Sequence, residues 1–73
     1  MATIGNPDKD KIHREFETMK SLELSAAEQY AQIAAEPGVT QPPVKTAFAN
    51  MAEDERRHAE LVERIINLVD NAL

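Results

Sequence analysis

The chain has 73 residues, a formal net charge of −5 at pH 7 and no cysteine. This length allows one small domain with a thin core, and the missing thiols exclude disulfides, cysteine-ligated zinc, iron–sulfur clusters and cysteine nucleophiles. The acidic balance argues against a nucleic-acid partner, because such proteins neutralise phosphates with basic side chains.

The start of the chain, Met-Ala-Thr-Ile-Gly-Asn-Pro-Asp, lacks the apolar core of a signal peptide. No apolar run approaches the length that spans a bilayer. We therefore expect a soluble cytoplasmic protein with no membrane partner.

Proline and glycine divide the chain into two helical segments. No proline or glycine interrupts the first segment until Pro37 and Gly38 end it, and Pro42 restarts a helix. The resulting prediction is helix 1 over about 8–36, a connector over 37–41 and helix 2 over about 42–71, all within a single domain, 1–73. A connector this short makes the helices antiparallel neighbours, so the predicted fold class is all-α, a two-helix hairpin.

Each predicted helix carries an apolar stripe with alternating steps of four and three residues, the pattern of a helical packing face. Polar side chains interrupt the stripes at Glu23 in helix 1 and at Glu55 and His58 in helix 2. Residues three apart on a helix share one face, so Glu55 and His58 can reach one metal ion. The predicted stripes are Ile12, Phe16, Met19, Glu23, Ala26, Tyr30 and Ile33 in helix 1, and Val44, Phe48, Met51, Glu55, His58, Val62, Ile65 and Val69 in helix 2.

The hairpin geometry predicts that these interruptions lie at one level. If the turn is centred between Val39 and Thr40, residues at equal height have numbers that sum to about 79. Glu23 then faces a level between Glu55 and His58. The alternative is that the three residues only set register, since polar groups at core positions can fix the alignment and oligomeric state of helices.

Two helices alone bury only a narrow stripe, so the remaining apolar residues predict dimerisation into a four-helix bundle. A dimer collects four carboxylates and two imidazoles, in the order Glu, Glu-x-x-His from each chain. Bundles that hold two iron or two manganese ions use this ligand set. Oxygen and imidazole ligands without sulfur suit iron or manganese, and zinc can also occupy them.

The segment Glu-Leu-Ser-Ala-Ala-Glu-Gln-Tyr, from Glu23 to Tyr30, resembles the first ligand helix of rubrerythrin-type ferritin-like proteins, in which a ligand Glu precedes a Tyr by seven positions. The segment 51–59, with its Glu-x-x-His, resembles the second. The resemblance covers nearly the whole chain but half of a usual ferritin-like domain. It is therefore closest to half-length members such as encapsulated ferritins, which complete the site between subunits. It implies two iron ions per dimer, ligated by Glu23, Glu55 and His58, with Tyr30 beside the site.

The function implied by this resemblance is that of a ferroxidase, an oxidoreductase that oxidises Fe(II) with dioxygen or peroxide in iron handling or oxidative-stress defence. Its catalytic residues would be Glu23, Tyr30, Glu55 and His58. The alternative from a different class is a non-catalytic helical homo-oligomerisation module. Two family features are missing: without cysteine there is no cysteine-ligated iron domain, and the ending Asp-Asn-Ala-Leu shows no recognisable cargo peptide for an encapsulating shell protein.

Overall fold

The computed structural model describes residues 7–72, which form two α-helices, α1 (Pro7–Ala35) and α2 (Pro42–Ala72). Each observed bound lies within one residue of its predicted position. Both helices begin at a proline, whose fixed φ suits the first helical position. The predicted all-α two-helix hairpin is confirmed, and neither described helix has an apolar stretch of the length needed to cross a bilayer.

A lysine near the start of α2 holds the connector in place. The Nζ of Lys45 donates hydrogen bonds to the carbonyl oxygens of Ala34, at 2.8 Å, and Val39, at 3.0 Å. The last carbonyl groups of a helix lack intrahelical partners, and a cation also interacts favourably with the negative end of the helix dipole. Lys45 therefore stabilises the end of α1 and the turn that returns the chain.

Contacts between the helices define an antiparallel register. Near the connector, the ring centroids of Tyr30 and Phe48 are 6.2 Å apart. Farther along, the Nζ of Lys20 donates to Oε2 of Glu63 at 2.8 Å. The residue numbers in these two pairs sum to 78 and 83, close to the value of 79 expected from the position of the turn.

The buried core of the hairpin consists mainly of small side chains. Its five members are Ala27 on α1 and Ala52, Ala59, Val62 and Ile66 on α2. Because alanine side chains are short, the backbones of the two helices can pack closely at these positions. The thin core predicted from the chain length is the core that the structure shows.

The prediction that the apolar stripes form this core is wrong about which side of each helix faces the other helix. Of all the stripe residues, Val62 alone is buried, whereas Met51, His58 and Ile65 are exposed. The actual packing line of α2 passes through the residues that directly follow these three, Ala52, Ala59 and Ile66. One residue corresponds to about 100° around a helix, so the part of the predicted stripe formed by Met51, His58 and Ile65 lies on the flank of the hairpin.

The flanks of the two helices form one continuous surface, which we call the lateral strip: Met19, Ala26 and Ile33 on α1 with Met51, His58 and Ile65 on α2. On α2 each of these residues precedes a buried packing residue by one position, and on α1 Ala26 precedes the buried Ala27, with Met19 and Ile33 one heptad to either side of Ala26. In antiparallel helices that face each other, this offset places both sets on the same side of the hairpin. Met19, Met51, His58 and Ile65 are exposed, and exposed Leu22 and Leu61 border the strip.

Candidate metal centre

Glu55 and His58 form the central pair of the candidate site. The Nδ1 of His58 lies 3.3 Å from Oε1 of Glu55, and the two side chains are 55% and 24% exposed, respectively. Their separation of three residues on α2 places them one turn apart on the same face. The pair therefore presents an imidazole and a carboxylate to one side of the hairpin, a combination that suits first-row divalent metals.

Glu23 brings a second carboxylate to the same level from α1. If facing residues have numbers that sum to 78–83, as in the observed pairs, Glu23 lies opposite positions 55–60. Its Oε2 is buried and has no hydrogen-bond partner among the described residues. Burying a carboxylate oxygen without a partner is unfavourable. A bound cation would supply the missing interaction, so the residues present fit a metal site.

The described part of a single chain does not assemble a complete ligand set. Within residues 7–72, no three His, Asp or Glu side chains are gathered closely enough to hold a metal ion. Glu55 and His58 are in contact, whereas Glu23 shares their level without joining them in such a group. The helix geometry gives one reason, because His58 lies about 60° around α2 from Glu55, on the lateral strip.

Tyr30 lies two turns after Glu23 on the same face of α1. It is half-buried, and its ring is tilted by 46° against that of Phe48. This packing places the aromatic ring within the interface of the two helices. The place of Tyr30 beside the metal site remains a prediction.

Neighbouring acidic residues on α2 are engaged by arginines of the same helix. Arg56 donates to Glu53 at 2.6 Å, and Arg57 pairs with Asp54. Exposed pairs of this kind contribute about 0–1 kcal/mol to stability. Glu53 and Asp54 are therefore paired with arginines of their own helix, whereas Glu55 contacts His58.

A polar cluster that the sequence pattern did not indicate lies at the open end of the hairpin. The Nδ1 of His13 lies 3.0 Å from Oδ1 of Asp70, and its Nε2 lies 3.7 Å from Oε1 of Glu17. The hydrogen bond with Asp70, helped by the negative charges of Asp70, Glu17 and Asp10, raises the pKa of His13 above its usual value of 6.5. The antiparallel register could have indicated this cluster, because it places the start of helix 1 beside the end of helix 2.

A family model described as Rubrerythrin matches residues 10–73. The match spans most of α1 and all of α2, so it includes Glu23, Tyr30, Glu55 and His58. Comparison with curated proteins and with solved structures finds no significant match.

Proposed function

The chain belongs to the rubrerythrin family, whose domains generally bind iron, and on this premise we propose that it is a ferroxidase with a di-iron carboxylate site. Its substrate is Fe(II), and dioxygen or peroxide accepts the electrons. The activity would serve iron handling or defence against oxidative stress. The observation that carries the proposal is the buried Oε2 of Glu23, which lies at the level of Glu55 and His58 and has no hydrogen-bond partner within residues 7–72.

Each residue of the proposed site has a distinct task. The carboxylates of Glu23 and Glu55 bind the cations and neutralise their charge, and His58 adds an uncharged nitrogen ligand. His58 must be neutral to act as a ligand, so metal binding competes with its protonation. The bound iron supplies the redox chemistry, while the protein holds it and leaves access for the oxidant.

A second copy of the hairpin is proposed to complete the site. The lateral strip exposes apolar side chains directly beside Glu55 and His58, and burying such a surface favours association. Two hairpins packed along their strips form a four-helix bundle. The dimer then holds four ligand carboxylates, whose four negative charges balance two divalent cations. This arrangement accounts for the incomplete ligand set in one chain.

The other candidate is a non-catalytic module in which the strip serves only for homo-oligomerisation. The observation that favours it is that the described residues of one chain do not gather three ligands. In such a module, Glu23, Glu55 and His58 would set the register of the helices. Both candidates predict self-association, but only the ferroxidase predicts iron-dependent properties.

The test compares iron binding and oxidation in two matched variants. Glu23→Gln removes a proposed ligand, whereas Glu28→Gln makes the same chemical change at an exposed position on another face of α1. Anaerobic Fe(II) titration should give two iron ions per dimer for the parent and for Glu28→Gln, with strongly reduced binding for Glu23→Gln. Addition of dioxygen or peroxide should then oxidise the bound iron. Equal binding and oxidation in all three proteins would contradict the assignment of Glu23.

A further inference from the structure

The polar cluster at the open end of the hairpin joins the first turns of α1 to the last turn of α2. His13 stands at its centre, with Nδ1 3.0 Å from Asp70 on α2 and Nε2 3.7 Å from Glu17 on α1. Lys9 also donates from Nζ to the backbone carbonyl oxygen of Asp70 at 2.9 Å. The connector fixes the opposite end of the hairpin covalently, so contacts of this kind have to hold the open end.

The protonation state of His13 determines how many of these contacts it can satisfy. An imidazolium ring donates from both nitrogens, whereas a neutral ring donates from one and carries a lone pair on the other. Only the charged ring can therefore donate to Asp70 and also attract the Glu17 carboxylate, whose Oε1 lies 3.7 Å from Nε2, beyond hydrogen-bond distance. In the neutral ring, one nitrogen lone pair faces a carboxylate oxygen, which is repulsive.

The negative charge of Asp70 makes nearby positive charges important for the stability of this end of α2. Asp70 lies in the last turn of α2, where the helix dipole is negative and a carboxylate is unfavourable. The last turn of α2 contains no basic residue. The compensating cations come from the other helix, as the Lys9 ammonium and the protonated His13 imidazole.

We propose that His13 and Asp70 form a proton-dependent clasp, which holds the C-terminal turn of α2 against α1 more tightly when His13 is charged than when it is neutral. The charged groups of this cluster within the described residues are the carboxylates of Asp10, Glu17 and Asp70, and the ammonium of Lys9, which lies one turn before His13 and donates to the Asp70 carbonyl oxygen. The three carboxylates favour the charged form of His13 together.

The direction of the pH response follows from the raised pKa of His13. A group whose folded-state pKa is raised contributes stability that is fully present below its unfolded value, here about 6.5. This contribution is lost as the pH rises through the folded-state pKa. The clasp is therefore tighter in mildly acidic solution and weaker in mildly alkaline solution. His13 lies ten residues before Glu23, about 15 Å along the helix, so the clasp is separate from the proposed metal site.

Amide hydrogen exchange across the last turn of α2 tests the clasp. In the parent, protection of residues 68–72, corrected for the intrinsic pH dependence of exchange, should fall about two- to fivefold between pH 6 and pH 8.5, the effect of losing an exposed ion pair. His13→Gln should show the lower protection at both pH values. His13→Lys keeps a positive charge throughout this range and should show the higher protection at both. A pH step of parental size in His13→Gln would overturn the proposal.

A histidine titration by NMR tests the partner assignment independently of helix fraying. The chain has only two histidines, so the signals of His13 and His58 are assigned by comparison with His13→Gln. Asp70→Asn should return the His13 pKa toward its usual value, and Glu60→Gln on the exposed face of α2 should leave it unchanged. A His13 titration that is identical in Asp70→Asn and in the parent would overturn the proposal.

Discussion

The Nδ1 of His58 lies 3.3 Å from the carboxylate of Glu55, yet His58 is more than twice as exposed as its neighbour. The pair thus extends from the half-buried edge of the hairpin core onto the lateral strip. A metal held by both residues would lie at this edge, where a second hairpin can supply further ligands. We therefore expect the surface beside the pair to be the dimer interface.

Replacing Ile65 with Lys should weaken self-association. Ile65 lies on the lateral strip one heptad after His58, and a charge there would have to be buried in the dimer interface. Asn67→Lys is the matched control, because it adds the same side chain to an exposed position on the opposite side of α2. Light scattering at micromolar concentration should give at least twice the chain mass of 8.1 kDa for the parent and the control, and a lower mass for Ile65→Lys.

A cooperatively folded monomer of the parent at micromolar concentration would contradict this prediction. The reason for expecting none is the thin core, which among the described residues contains three alanines and only two larger side chains, Val62 and Ile66. Such a monomer would also remove the basis for a site shared between subunits.

Enlarging the core should destabilise the hairpin. Ala52 is 1% exposed at the contact between the helices, so Leu at this position would push the backbones apart. Overpacking of this kind costs about 1–3 kcal/mol. Ala49→Leu adds the same atoms at an exposed position of α2 and should change stability little. Urea unfolding at fixed protein concentration measures both variants, and equal midpoints for the two would contradict the observed packing line.

Replacing Tyr30 with Phe should keep the fold and iron binding but change the rate of iron oxidation. The ring packs against Phe48, and Phe preserves that contact. The hydroxyl, which lies on the face of Glu23, is the only group removed. Stopped-flow oxidation of anaerobically loaded protein measures the effect. Identical kinetics in parent and variant over the whole pH range would make Tyr30 a packing residue only.

The sequence predicts the fold well because its strongest signals are local. Pro37 and Gly38 end one helix, Pro42 begins the next, and the short connector leaves an antiparallel hairpin as the simple solution. The same logic predicts the register, since the level of Glu23 depends mainly on the position of the turn. These features follow from chain geometry and do not require knowledge of side-chain packing.

The rotational setting of the helices could not be predicted in this way. A heptad stripe marks an apolar face but does not say whether the face meets the other helix of the hairpin or a second chain. Alanines at 52 and 59 allow close packing, and the hairpin uses them while the larger Met51 and Ile65 remain exposed. The contact between His13 and Asp70 was missed because polar residues at helix ends carry no periodic signal.

The dependence of melting temperature on ferrous iron tests the metal site most directly. An unpaired buried carboxylate is destabilising, so Glu23→Leu without metal should be as stable as the parent or more stable. Metal that binds only the folded protein stabilises it by linkage, and a hundredfold excess over the dissociation constant corresponds to about 5–10 °C for a dimer of this size.

Melting curves recorded anaerobically with and without Fe(II) should therefore cross over. The parent should gain about 5–10 °C for each bound iron ion, while Glu23→Leu and Glu55→Leu gain little and lose ferroxidase activity. His58→Leu should also lose activity, with a smaller effect in the absence of metal, because the His58 side chain is 55% exposed and its replacement removes little buried polar surface. If iron leaves the melting temperature of the parent unchanged, and the Leu variants are equally stabilised with and without it, the three residues set register and hold no metal.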